Sequence, residues 1–251
     1  LDIAGKPMLQ HTWERATQSQ AQRVIIATDD ERIRQAAAGF GAEVFMTQAE
    51  HESGSDRICE VVNELALSDS GFVVNVQADE PLLPAEAIDT VARNLMTRSE
   101  FGMATLCEAI TNENDYIQPS SVKVVFDVYG RALYFSRAPI PAGTSLPTQC
   151  YRHIGIYAYR VETLRAFVSW PVAPAESVER LEQLRALHNG VAILDGGKVA
   201  DVRFKHELPN YGTFDEKRLF APGPLPRPVE FRGVRLGLPI CEDGWLPKVP
   251  R

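Results

Sequence analysis

Short apolar runs alternate with amphipathic helical stretches along the first three quarters of this chain, and that alternation leaves few folds open. "RVIIATDD" reads as a strand that runs into acidic residues, and "DERIRQAAAGFG" as a helix ended by glycine. "AEVFMT" is a second strand, followed by "SDRICEVVNELAL", a helix with Ile58, Val61, Val62 and Leu65 on one face. The run Phe72-Val73-Val74-Asn75-Val76 reads as a central strand, because β-branched residues without polar alternation suit burial on both faces. "PAEAIDTVARNLMTR" gathers Ile88, Val91 and Leu95 on one side of a helix, and "FGMATLCEAI", "SSVKVVFD" and "ALYFSRAPIP" are later strands. A last helix, "AESVERLEQLRALHNG", stops at Gly190. The pattern predicts an α/β fold: a mostly parallel sheet flanked by helices.

In such folds ligands sit outside the carboxyl ends of the strands, which directs attention to Gln77-Ala78-Asp79-Glu80-Pro81 after the Phe72 strand. Asp79 and Glu80 are either solvated loop acids or a site for a hard cation that bridges substrate phosphates.

Composition narrows the partners. The formal net charge is −7 and no Lys/Arg block stands out, which argues against a nucleic-acid or anionic-membrane partner but not against a small anionic substrate. No apolar run is long enough to span a bilayer, and no signal peptide opens the sequence. Cys59, Cys107, Cys150 and Cys241 lack metal-ligand spacing and read as reduced thiols, so the expected setting is the cytoplasm.

Charge and proline content shift late in the chain. Residues 192–251 carry ten Lys/Arg against eight Asp/Glu and hold eight of the 17 prolines, whereas residues 1–191 have a net charge of −9. Two domains are expected, 1–191 and 192–251.

Read together and in order, "MTQAEHESGSDR", "VNVQADEPLLP", "ALYFSRAPIP", "RHIGIYAYR" and "ERLEQLRAL" closely resemble the 3-deoxy-manno-octulosonate cytidylyltransferase (CMP-KDO synthetase) family over residues 1–191. The resemblance implies a nucleotide-diphospho-sugar transferase-like fold. It also implies transfer of CMP from CTP to 3-deoxy-D-manno-octulosonate (KDO) with release of pyrophosphate, for lipopolysaccharide biosynthesis, with Mg²⁺ as cofactor. By matching positions it makes Asp79 the metal-binding and catalytic aspartate, although Ala78 stands where the family usually has glycine. It places Gln77 in a substrate pocket, Ser53, Gly54 and Arg57 on a loop lining the cytidine site, and Arg152, His153, Tyr157, Glu182 and Gln183 around the sugar acid. A homodimer is implied as well. Taken singly, Ser53-Gly54 would be an ordinary turn, Arg152 and His153 strand-edge residues, and Glu182-Gln183 a solvated helix face.

Family members carry a first strand and a basic phosphate-binding loop ahead of the segment that reads "LDIAGKPM" here. They also carry a strand and an acidic segment after the last helix. Both are expected to be absent, which would impair turnover by the chain. From Ala192 onward, "KHELPNYGTFDEKRLFAPG" and "PICED" resemble part of the nitrilase-type glutamine amidohydrolase domain of glutamine-dependent NAD synthetases. That resemblance matches Lys205 to the lysine supporting the tetrahedral intermediate and Cys241 to the nucleophile, and leaves the glutamate base without a counterpart. Three functions therefore compete: a cytidylyltransferase, an amidohydrolase fragment, and a non-catalytic remnant.

Overall fold

The computed structural model describes residues 2–143 and 149–195, together with the backbone of 229–231 and 234–236. The chain divides into two compact units, Leu1–Lys198 and Val199–Arg251.

The first unit opens with a tight hairpin of β1 (Asp2–Ile3) and β2 (Lys6–Pro7). Its two-residue turn needs left-handed backbone at Ala4 (φ 49°) and Gly5 (φ 78°), the geometry that matches strand twist. Then follow α1 (Met8–Thr17), β3 (Ile25–Thr28), α2 (Glu31–Gly39), β4 (Glu43–Met46), α3 (Gly54–Glu64), β5 (Phe72–Asn75) and α4 (Ala85–Thr97). The order continues through β6 (Met103–Ala109), α5 (Glu113–Ile117), β7 (Lys123–Phe126), β8 (Ala132–Ser136), β9 (Tyr151–Arg160) and α6 (Val161–Ser169). It closes with α7 (Pro174–Glu179), α8 (Gln183–His188) and β10 (Ile193–Asp195). In the second unit β11 (Val229–Phe231) and β12 (Val234–Leu236) form an antiparallel pair.

Helix starts follow local chemistry. Asp30 caps α2 by accepting from the Arg32 N–H at 2.7 Å, and Ser53 caps α3 by accepting from the Asp56 N–H at 3.2 Å. Helices cover both faces of the main sheet. On one face Met103, Cys107, Phe135 and Tyr159 pack with Val62 of α3, Leu164 of α6 and Leu184 of α8. On the other, Ala104, Leu106, Ile156 and Ala158 pack with Ala16 of α1 and Ile88, Val91 and Leu95 of α4.

The sheet departs from the sequence expectation of mostly parallel pairing. It is mixed: β10 pairs β6 in parallel, but β6, β5 and β7 all pair β9 antiparallel, as does β7 with β8. The parallel pair β3–β4 forms a separate ladder. Nor is β5 central, since β9 is its one ladder partner among the described residues. The reason is physical: a β-branched run encodes burial, not strand direction or neighbour.

Two further expectations change. The single last helix is broken into α7 and α8 by Arg180, which takes left-handed backbone (φ 54°), while Arg137 donates to the carbonyls of Glu179 (2.7 Å) and Arg180 (3.3 Å). And a strand does follow Gly190, because Ile193 and Leu194 are buried beside Met103 and Ala104.

Candidate active site

The central strand β9 is flanked on one edge by β6 and on the other by β5 and β7, which meet it at opposite ends. β5 ends with Asn75 opposite Tyr157, and β7 starts with Lys123 opposite Arg152. Between these ends that edge of β9 opens, and the strand carries a bulge: Thr105 faces Tyr157 while the next residue, Leu106, faces Ile154. Gly155 and Ile156 are the extra residues. A Cβ placed on Gly155 would meet nothing within 4 Å.

Residues of α3, α8 and the strands β5, β6, β8 and β9 gather around this stretch. The first turn of α3 brings Gly54, where a Cβ would lie 3.7 Å from the Asn75 amide, and the buried Ser55. Ser55 donates to Glu182 Oε2 at 2.9 Å and lies 3.4 Å from the Tyr159 hydroxyl. Burial pushes the Tyr159 phenol far up, so it stays protonated. The Tyr157 hydroxyl donates to Gln183 Oε1 at 3.2 Å. His153 stands over Tyr157 with ring centroids 5.3 Å apart and meets the edge of Phe135 at 5.1 Å. Its Nε2 is 2.8 Å from Thr105 Oγ1, and burial lowers its pKa to about 3, so the ring is neutral.

Two polar atoms here have no partner among the described residues although buried: Glu182 Oε1 and Gln183 Nε2. Unsatisfied buried groups cost about 1–3 kcal/mol each, so a bare acceptor and a bare donor on consecutive residues constitute binding capacity. A recess of about 500 Å³ opens beside Ser53 and Glu182. A second, of about 580 Å³, is walled by Glu50, Glu52, Asp56, Glu60 and Glu64, and that much negative charge repels anions.

The structure thus gathers Gly54, His153, Tyr157, Glu182 and Gln183, with Ser53 fixing the start of α3. The other sequence candidates behave differently. Arg57 is committed to Asp29 (3.1 Å) and Thr47, tying α3 to the ends of β3 and β4. Arg152 pairs with Glu108 across β6–β9. Neither Arg152 nor His153 is a sheet-edge residue; both lie on the strand with most neighbours. Gln77 and Asp79 are exposed on the loop after β5, which Thr12 holds by donating to the Ala78 carbonyl at 3.0 Å. Among the described residues no side chain bonds the Asp79 carboxylate, and no group of three or more His, Cys, Asp or Glu side chains is gathered to hold a metal. A lone free carboxylate still fits Mg²⁺, which keeps waters and takes its other oxygens from phosphates. Lys205 and Cys241 lie outside the described residues. Sequence reasoning missed Ser55 and Thr105; both are small, buried and wholly internal in their contacts, so no pattern marks them.

A three-layer α/β unit with a mixed sheet and a polar site at the end of one strand defines a nucleotide-diphospho-sugar transferase-like protein. The sequence profile described as cytidylyltransferase matches residues 1–193, and the chain belongs to the cytidylyltransferase family. A 3-deoxy-manno-octulosonate cytidylyltransferase of Hahella chejuensis is 53% identical over 203 residues, covering 77% of this chain and 80% of that protein. One from Marinobacter nauticus is 54% identical over 205 residues, covering 76% and 78%. A solved structure of CMP:2-keto-3-deoxy-manno-octonic acid synthetase complexed with CTP superposes with a TM-score of 0.72 at 40% identity, covering 77% of this chain and 80% of that one.

Proposed function

We propose that this chain transfers CMP from CTP to KDO, releasing pyrophosphate. The observation that carries the reading is the pair of bare buried atoms, Glu182 Oε1 and Gln183 Nε2, beside the hydroxyl of Tyr157. An acceptor and a donor on consecutive residues suit hydroxyls of a polyhydroxylated sugar acid. The relatives' names and the CTP-complexed neighbour support the same substrates.

In the reaction a sugar hydroxyl oxygen forms a bond to the α-phosphorus of CTP, the bond from that phosphorus to the pyrophosphate oxygen breaks, and the hydroxyl proton is lost to solvent. Residues around the β9 opening orient the sugar, and that positioning lowers the entropic part of the barrier. On this reading Asp79 holds Mg²⁺, which when bound offsets phosphate charge. Ser53, Gly54, Arg57 and Gln77 lie on the nucleotide side, and Arg152 joins the sugar side. The protein works in the cytoplasm as a homodimer. Residues 192–251, including Lys205 and Cys241, contribute no hydrolase activity, because the amidohydrolase base has no counterpart.

The test is pyrophosphate release by the full chain. Release should require CTP, KDO and Mg²⁺ together, and a signal no higher than that of a blank without KDO would refute the reading. Glutamine hydrolysis that vanished in Cys241→Ala would overturn the statement about residues 192–251.

A further inference from the structure

Thr105 is fully buried on β6 and touches no opening to solvent, yet its hydroxyl has three neighbours. His153 Nε2 is at 2.8 Å, the Ile154 carbonyl at 3.1 Å and the Ile156 carbonyl at 2.7 Å. The Ile156 carbonyl belongs to the bulge, and the Ile154 carbonyl to the residue at its edge, which is in register with Leu106. Carbonyl oxygens only accept, and a threonine hydroxyl has one proton. That proton is therefore spent on the carbonyls, and the hydroxyl oxygen must accept from His153. Were Nε2 the acceptor, the hydroxyl lone pairs would face both carbonyl oxygens, at 3.1 and 2.7 Å, inside the core.

We infer that Thr105 is a positioning residue that locks His153 in its Nε2–H form, so that the ring presents the site with an Nδ1 lone pair, a specific acceptor for a substrate hydroxyl. The inference rests on the proposed sugar-acid reading for the ligand, but not for the tautomer. Nδ1 has no partner among the described residues. Around the ring, among the described residues, are Thr105 and Cys107 on β6, Phe135 on β8 and Tyr157 on β9, and none of these carries a charge to draw a second proton onto it. Burial accordingly holds the imidazole neutral. A neutral acceptor repels carboxylate and phosphate oxygens and accepts from a hydroxyl, so His153 reads the sugar's hydroxyl pattern and leaves its carboxylate to hydrogen-bond donors.

The experiment is ¹⁵N NMR on the histidine-labelled full chain, with the His153 signals assigned through His153→Gln, followed by kinetics of Thr105→Val and Thr105→Ser. The expected spectrum has a protonated Nε2 and an unprotonated Nδ1, unchanged between pH 8 and pH 5. Thr105→Val should mix the tautomers and raise the KM for the sugar acid about tenfold while leaving the KM for CTP alone, since one hydrogen bond to the sugar is lost. Thr105→Ser should restore both. A protonated Nδ1, or a ring that takes a second proton near pH 6.5, would overturn the inference. So would a Thr105→Val protein whose tautomer and sugar KM match the parent. A Thr105→Val protein that fails to fold leaves the decision to the parent spectrum. If the parent chain turns over nothing, the proposed function fails while the spectrum still judges the tautomer.

Discussion

His153 illustrates how much a single residue's surroundings decide. An unfolded chain protonates this imidazole near pH 6.5, whereas the folded one resists until about pH 3, because burial disfavours the cation. Between those values the unfolded state binds more protons, so stability is complete above pH 6.5 and is lost as pH falls towards 3. At pH 5 the loss is about 2 kcal/mol at most. Urea denaturation at pH 7 and pH 5 should show it, and the pH slope should shrink in His153→Gln; an equal slope in both proteins would remove His153 as the cause. Asp79 is the opposite case, exposed and unbonded by any described side chain. Asp79→Asn should therefore leave the melting temperature essentially unchanged but lower pyrophosphate release on the order of 10–100-fold, the loss of one charge-assisted interaction. Unaltered magnesium dependence in that variant would count against the metal role. Motif order in the sequence pointed to these residues as candidates. Their engagement was not legible there: Arg57 and Arg152 look alike as free cations in a string of letters, but each meets a carboxylate only once the chain has folded.

At the scale of elements, the break between α7 and α8 matters most. A continuous helix through Arg180 is what the periodicity of "AESVERLEQLRAL" predicts, and no glycine or proline marks the interruption. Tertiary bonds impose it. Arg137 draws off two carbonyls, and Glu176 and Arg185 form a buried bidentate pair whose closest contact is 2.6 Å, with the Glu176 carboxylate also accepting from the Ala173 N–H. The break puts Glu182 just ahead of α8 and Gln183 at its first residue. Removing one partner of a buried pair strands the other charge, so Arg185→Leu should destabilise the protein by about 3–5 kcal/mol. A shift in urea midpoint worth less than 1 kcal/mol would mean that the pair is dispensable. Ser53→Ala should cost about 1 kcal/mol through its cap on α3 and should also weaken activity, because the same helix turn delivers Ser55 to Glu182. A melting temperature equal to the parent's would rule out the capping role.

Across the first unit, hydrogen bonding is uneven. The six-stranded sheet is knitted around β9, whereas β3 and β4 bond to each other and hang on α3 through Arg57, which reaches Asp29, Thr47 and Gln48. Local stability follows contact and ladder density. Amide hydrogen exchange should be slowest in β6 and β9 and faster in β3 and β4, and Arg57→Met should accelerate β3 and β4 by about tenfold while sparing β9. Uniform exchange in all four strands would contradict this picture. Alternation of strands and helices announced a layered α/β unit correctly, since period and burial are local properties. Strand direction depends on which distant segments meet, and the antiparallel insertion of β9 has no local signature.

The bulge in β9 has a further consequence for tolerated change. It adds two residues, an even number, so odd positions such as Tyr157 and Tyr159 stay on the α3 side and even ones such as Ile156 and Ala158 stay on the α4 side. Chemistry at Gly155 is therefore permissive, and its open surroundings admit an alanine. Chain length is not. Deleting one residue between Ile154 and Ile156 would exchange the two faces of everything that follows in the strand, turning tyrosines into the layer under α4 and aliphatic residues into the one under α3. Among relatives of this fold, indels in this strand should occur in pairs or not at all.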